Sequence, residues 1–321
     1  MQLEARKGDE AMKPTALLII SFAASFSAGC KSEKTTAVEH LEKRTMENAQ
    51  EEQHDDATDT WVVSKDGTKI AFEKAGKGPA VIVVSGALSY RELLGDELAN
   101  ALSRGLTVYT YDRRGRGEST DVKPYAVERE IEDIDALIRH AGQSAYLYGV
   151  SSGAALALQA AAKLGPAEVP KLALYEPPYG QDSKAFAEQK QRINELTKTG
   201  KPGEAAEYFM AAIGTPPEGI QNMKRSKDWD AMTRIDFTLA YDYAVLGDGL
   251  VPDETARSVT VPTLVMNGEK SMAFMQPTAD RIAKAMPRAE RKTLEGQTHQ
   301  AKADVVAPVL IEFFTRGQSN R

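Results

Sequence analysis

The sequence predicts an α/β fold: an open, mostly parallel sheet covered by helices on both faces and carrying an inserted helical cap. Three observations lead there. From residue 61 onward, short runs rich in β-branched residues alternate with longer stretches of helical spacing. The connections between the short runs are long enough to be crossover helices. The alternation breaks once, between Pro177 and Pro262, where helical stretches follow one another with no convincing strand.

The first two runs, WVVS (61–64) and KIAFEKAG (69–76), read as strands joined by the turn residues Asp66 and Gly67. AVIVVSG (80–86) is apolar without interruption, as a strand buried on both faces should be. Residues 89–103 have helical spacing, TVYTYD (107–112) reads as a strand, and 125–141 as a helix with Ile131, Ile134 and Leu137 on one side. AYLYGV (145–150), KLALYE (171–176), TLVMNG (263–268) and RKTLEG (291–296) repeat the strand pattern, with helices between and after them. Residues 61–321 therefore read as one domain, with the cap at about 180–250. Ligands of such sheets bind at the carboxyl ends of the strands.

The part of the chain before residue 61 has a different character. Residues 14–29, PTALLIISFAASFSAG, are uncharged, follow Lys13 and end in small residues, a length suited to the apolar core of a signal peptide and short for a membrane span. The only cysteine of the chain, Cys30, comes next. The arrangement resembles a bacterial lipoprotein signal over residues 1–30, which implies that Cys30 is lipidated and the protein exported and anchored to a membrane of the cell envelope. Such signals favour leucine three residues before the cysteine, where this chain has Ser27. Plain secretion as a soluble protein is the competing reading. Residues 31–60 hold four Lys/Arg against nine Asp/Glu and can bury little, so they are expected to form a flexible acidic tether. That stretch carries most of the net charge of −6, which leaves the rest of the chain nearly neutral. A neutral domain lacks the basic face that phosphate backbones require, so nucleic acid is not an expected partner. One cysteine cannot form an intrachain disulfide or a cysteine-based zinc site.

The chemistry concentrates at YLYGVSSGAALAL (146–158). Gly149-Val150-Ser151-Ser152-Gly153 fits G-x-S-x-G with Ser151 at its centre, directly after a strand and before an alanine-rich helix. In that setting the chain turns sharply, the flanking positions must be nearly free of side chains, and the central hydroxyl projects as a nucleophile. A glycine-flanked serine N-cap has the same pentapeptide, but the strand before it and the helix after it favour the nucleophile. The amide of Ser152, at the positive end of the new helix, can receive an oxyanion. A serine needs a base, and elimination finds one. Of four histidines, His40 and His54 lie in the tether and His140 near the end of a helix, whereas His299 lies between the last strand and the last helix.

With GVSSG, GQTH (296–299), TYDRRGRGES after a strand and VVSGA before a helix, residues 61–317 resemble the α/β-hydrolase family. The resemblance implies a second oxyanion donor at the amide of Ala87, in the loop where Gly86 lets the chain pass closely. It implies a structural role for the YDRRGRG loop (111–117). Many relatives carry the triad acid three residues after the glycine that ends the penultimate strand, and here that place is Ser271. Some relatives, haloalkane dehalogenases among them, take a glutamate from the end of the strand after the nucleophile helix. Glu176, held by Pro177 and Pro178, occupies that place, and Glu269 is the alternative. The expected activity is that of a serine hydrolase acting on a carboxylic ester or similar acyl substrate, a small molecule, with no metal or organic cofactor called for. A C–C bond hydrolase and a cofactor-free perhydrolase share this machinery. A non-catalytic envelope-anchored binding protein is the reading from another class. Cap residues such as Tyr208, Phe209, Trp229 and Tyr243 could line an acyl pocket or form the cap's own core, and their helical spacing favours the core.

Overall fold

The computed structural model describes residues 60–91 and 96–317. The signal-like run, Cys30 and the acidic stretch up to residue 59 lie outside the described residues.

Eight strands form one sheet in the order β1-β2-β4-β3-β5-β6-β7-β8. They are β1 (Thr60–Val63), β2 (Lys69–Ala75), β3 (Ala80–Val84), β4 (Thr107–Tyr111), β5 (Tyr146–Val150), β6 (Leu172–Tyr175), β7 (Thr263–Gly268) and β8 (Ala289–Leu294). The β1–β2 hairpin turns through Asp66 and Gly67, where Asp66 accepts a hydrogen bond from the Thr68 amide. β2 pairs antiparallel with β4, and every pairing from β4 through β3 to β8 is parallel.

Side-chain alternation along the strands divides the core between the two faces. Ile82, Val84, Leu147 and Val265 point to one face, beneath α2 (Val127–His140) and α3 (Ser152–Leu164). Val81, Val83, Tyr148 and Met266 point to the other, beneath α1 (Glu97–Leu102) and α11 (Ala303–Thr315). Burial on both faces is why these central strands read as continuous apolar runs. β8 begins at Ala289, two residues earlier than the sequence indicates, because Thr263 of β7 pairs with Ala289 and extends the ladder through residues of weak strand preference. β8 is an outer strand bearing Glu290, Arg291 and Lys292, charges that protect an exposed edge from further pairing.

Between β6 and β7 the chain forms α4 (Ser183–Thr199), α5 (Glu204–Ala212), α6 (Pro217–Lys224), α7 (Trp229–Ile235), a 3-10 turn (Asp236–Thr238), α8 (Leu239–Val245) and α9 (Asp253–Ser258). A backbone bridge from Gly180 to the Gly249–Leu250 segment closes the excursion at its base. α10 (Met275–Ala285) then connects β7 to β8.

Candidate active site

β5 ends at Val150 and α3 begins at Ser152, so the whole reversal falls on Ser151, at φ 56° and ψ −129°. Both flanking glycines are required by contact. A β-carbon on Gly149 would lie 2.5 Å from the Gly153 carbonyl oxygen, and one on Gly153 would lie 2.2 Å from the Val84 oxygen. These neighbours are backbone, which cannot rotate aside. Gly86 approaches from β3, where an added β-carbon would stand 3.0 Å from the Ser151 β-carbon and 3.6 Å from its Oγ. The loop that follows β3 therefore passes close to the serine hydroxyl.

β5 and β6 are in register at Val150 and Tyr175, and the Ser151 amide donates to the Tyr175 carbonyl at 2.9 Å. Ser151 and Glu176 are thus each one residue beyond paired strand ends, on the same edge of the sheet. Glu176 also has a positive φ, 50°, and so does Leu88 at 53°. Such a backbone is strained by roughly 1–3 kcal/mol per residue, and it persists only where the surroundings over-determine it. Three of the four non-glycine residues with positive φ in the described chain lie on this one edge.

Glu176 is fully buried. Its Oε1 accepts from the Gly268 amide at 2.7 Å, and its Oε2 meets His299 Nδ1 at 2.6 Å. Burial pushes this carboxyl up, but the groups around it, His299 first, then the Ser271 hydroxyl and the Gly268 amide, outweigh burial and hold it below its ordinary value. An ionised carboxylate here keeps a proton on Nδ1 and leaves Nε2 as the ring's free base. The His299 side chain is 32% exposed while its partner is closed off. The histidine loop is fastened to the ends of β6 and β7: the Lys270 amide donates to the Gln297 carbonyl at 2.8 Å, and the Tyr175 hydroxyl donates to the Thr298 carbonyl. Glu269 turns away from the ring and accepts from the Gly296 amide at 2.8 Å, tightening the same loop. Ser271, at the position where many relatives have the acid, puts its hydroxyl near Glu176 but outside strict hydrogen-bond geometry.

A family model described as "Alpha/beta hydrolase family" matches residues 81–308. The chain belongs to the alpha/beta hydrolase family. An α/β-hydrolase crystal structure from Sphaerobacter thermophilus is 46% identical, with a TM-score of 0.74, covering 80% of this chain and all of that one. A thermophilic esterase from Thermogutta terrifontis is 20% identical with a TM-score of 0.66, covering 81% of this chain and 99% of its own, a likeness of fold alone. Among curated proteins, an uncharacterised hydrolase of Bacillus subtilis is 33% identical over 96 residues. That match spans 29% of this chain and about a third (35%) of the relative's length.

This α/β-hydrolase does not use its arginine-rich loop to attract anions. Arg113 grips Glu130 through both carboxylate oxygens at 2.7 Å, Arg114 grips Asp133 at 2.7 and 2.8 Å, and Arg116 reaches Asp242 at 2.8 Å. All three guanidiniums are buried against carboxylates, in agreement with the structural role expected of the loop. His140, at the end of α2, lies in edge contact with the Phe72 and Tyr109 rings, remote from the elbow in its chemistry.

Sequence reasoning missed Asp242. It lies in α8, 2% exposed, and its Oδ1 accepts from the Ser152 hydroxyl and from Arg113, both at 2.7 Å. No local motif marks it, because its partners are 90 and 129 residues away in sequence. Most aromatic residues of the cap belong to the cap's own core: Tyr243 is buried with Ile193, Leu196 and Leu239, and Tyr208, Phe209 and Trp229 pack against that cluster. Leu88 and Tyr90 of the loop after β3 join the same cluster, so the helical insertion and that loop share one apolar contact. A groove of about 600 Å³ lies between Tyr90, Arg91, Glu118 and the cap residues Arg234 and Ile235, and its charged lining does not suit an acyl chain.

Proposed function

We propose that this α/β-hydrolase is a serine hydrolase that cleaves a carboxylic ester or similar acyl substrate through an acyl-enzyme. Ser151 Oγ attacks the acyl carbonyl while His299 Nε2 takes its proton. The C–O bond to the leaving alcohol breaks as the imidazolium returns that proton. Water, deprotonated by the same nitrogen, then releases the acid and regenerates Ser151. Glu176 orients the imidazole and stabilises its charged form, and the amides of Ala87 and Ser152 receive the oxyanion.

The observation that carries this reading is the 2.6 Å contact between His299 Nδ1 and Glu176 Oε2. It pairs the proposed acid with the proposed base, and Ser151 stands at positive φ one residue beyond the strand that pairs with the strand before Glu176. Membership of the family and likeness to an esterase fold support the same reading. The test is hydrolysis of p-nitrophenyl esters of graded acyl length by the purified full chain and by Ser151→Ala. The expected result is turnover of at least one ester that Ser151→Ala loses by roughly 10³-fold or more. Equal hydrolysis by both proteins would remove Ser151 from the mechanism.

A further inference from the structure

We infer that Asp242 is a positioning residue for the oxyanion hole, holding both proposed donor amides from a single carboxylate on the helical insertion. The inference rests on the serine-hydrolase reading and adds to it the element that sets the geometry of the hole.

The first donor is set through the Gly86–Ala87 peptide. Arg116 Nη1 donates to the Gly86 carbonyl at 2.6 Å. In a planar trans peptide the carbonyl and the following N–H point in opposite directions, so fixing the Gly86 oxygen on Arg116 fixes the Ala87 N–H on the other side. Arg113 Nη1 steadies the preceding peptide through the Ser85 carbonyl at 3.3 Å. The second donor is set through a side chain. The Ser152 hydroxyl donates to Asp242 Oδ1 at 2.7 Å, which fixes the first residue of α3 and hence the direction of its amide.

Asp242 joins these two arms. Its Oδ1 accepts from Ser152 and Arg113, and its Oδ2 accepts from Arg116 at 2.8 Å. Arg116 Nε also reaches Thr238 Oγ1 at 3.1 Å, on the 3-10 turn that leads into α8. Every member of this cluster is nearly closed to water. In such surroundings a hydrogen bond to an ionised group is strong and a lost partner is not replaced by solvent. α8 is itself held to the body of the fold. Gln159 of α3 donates to the Val245 carbonyl at 2.6 Å, the Tyr125 ring stacks on Tyr241 at 3.7 Å, and the Tyr241 hydroxyl donates to Asp121 at 2.8 Å. The helix is thus a fixed support for its carboxylate. Ser152 takes no part as a nucleophile, since its hydroxyl proton is committed to Asp242.

The test measures fluorophosphonate phosphonylation of the full chain, resolving the maximal rate kinact from the apparent affinity KI. The proteins are wild type, Ser151→Ala, Ser152→Ala, Ser152→Thr and Asp242→Asn. The phosphonyl oxygen draws on the oxyanion hole as the bond to Ser151 forms. The expected result is a fall in kinact of about tenfold or more in Ser152→Ala and Asp242→Asn with KI within twofold of wild type, and recovery in Ser152→Thr, which keeps the hydroxyl. Wild-type kinact in folded Ser152→Ala overturns the inference, even if Asp242→Asn does not fold. So does a fall in Ser152→Ala that Ser152→Thr fails to restore. A folded wild type that takes no label overturns the serine-hydrolase reading first and the inference with it. Labelling of wild type and not of Ser151→Ala keeps that reading whichever way the Ser152 variants behave.

Discussion

At Glu176 two opposing effects act on one carboxyl, and their balance predicts how stability responds to acid. Burial favours the protonated form, while His299, the nearby Ser271 hydroxyl and the Gly268 amide favour the ionised one and prevail. The folded-state value therefore lies below the ordinary 4.5. A carboxyl depressed on folding contributes stability that is fully present above its unfolded value and lost as pH falls through its folded value. The stability gap between wild type and Glu176→Gln should narrow progressively as pH falls below about 4.5. Urea unfolding of both proteins at several pH values below about 4.5 checks this, and a gap that stays constant or widens as pH falls through that range contradicts it. Glu176 was legible in the sequence only as one of two acids at strand ends. The choice between it and Glu269 needed the register of β6 on β5 and the fold of the histidine loop, neither of which leaves a local trace.

The elements around the elbow were largely legible, because a strand, a G-x-S-x-G turn and an alanine-rich helix each have a short-range signature. Alanines at 154, 155, 157, 160 and 161 are all buried and let α3 lie close on the sheet. Gly153 is where that closeness becomes absolute, since its added β-carbon would sit 2.2 Å from a backbone oxygen of β3. Gly153→Ala should therefore cost about 3 kcal/mol or more, or prevent folding. Gly165, at the other end of α3, has φ 82° and ψ 179°, a backbone conformation essentially confined to glycine, but open space around it, so Gly165→Ala should cost about 1–3 kcal/mol from the backbone conformation alone. Denaturant midpoints for the pair separate packing from conformation, and equal losses at the two sites would contradict the close approach. Less legible were the first residues of β8. Ala289 and Glu290 carry weak strand preference and are recruited by pairing with β7.

On the scale of the whole molecule, the site is assembled from segments that meet only in the fold. Ser151 was singled out by its motif between a strand and a helix, His299 by elimination among four histidines, and Glu176 through the family resemblance at a strand end. The loop after β3, the arginine-rich loop and α8 come together around buried carboxylates, and Asp242 alone connects residues 90, 126 and 129 positions away. Such a link has no sequence pattern, because it is set by the position of the insertion on the sheet. Arg113, Arg116, Glu130 and Asp242 form a buried set of two positive and two negative charges, which explains why an arginine-rich loop coexists with a nearly neutral domain. The central claim is that this assembly makes one serine nucleophilic. The most direct measurement is intact-mass and peptide mapping of the full chain after fluorophosphonate treatment, beside Ser151→Ala and Glu176→Gln. The account predicts one adduct, on Ser151, absent from Ser151→Ala and formed more slowly in Glu176→Gln. An adduct on Ser152, or none on a folded wild-type chain, would contradict it.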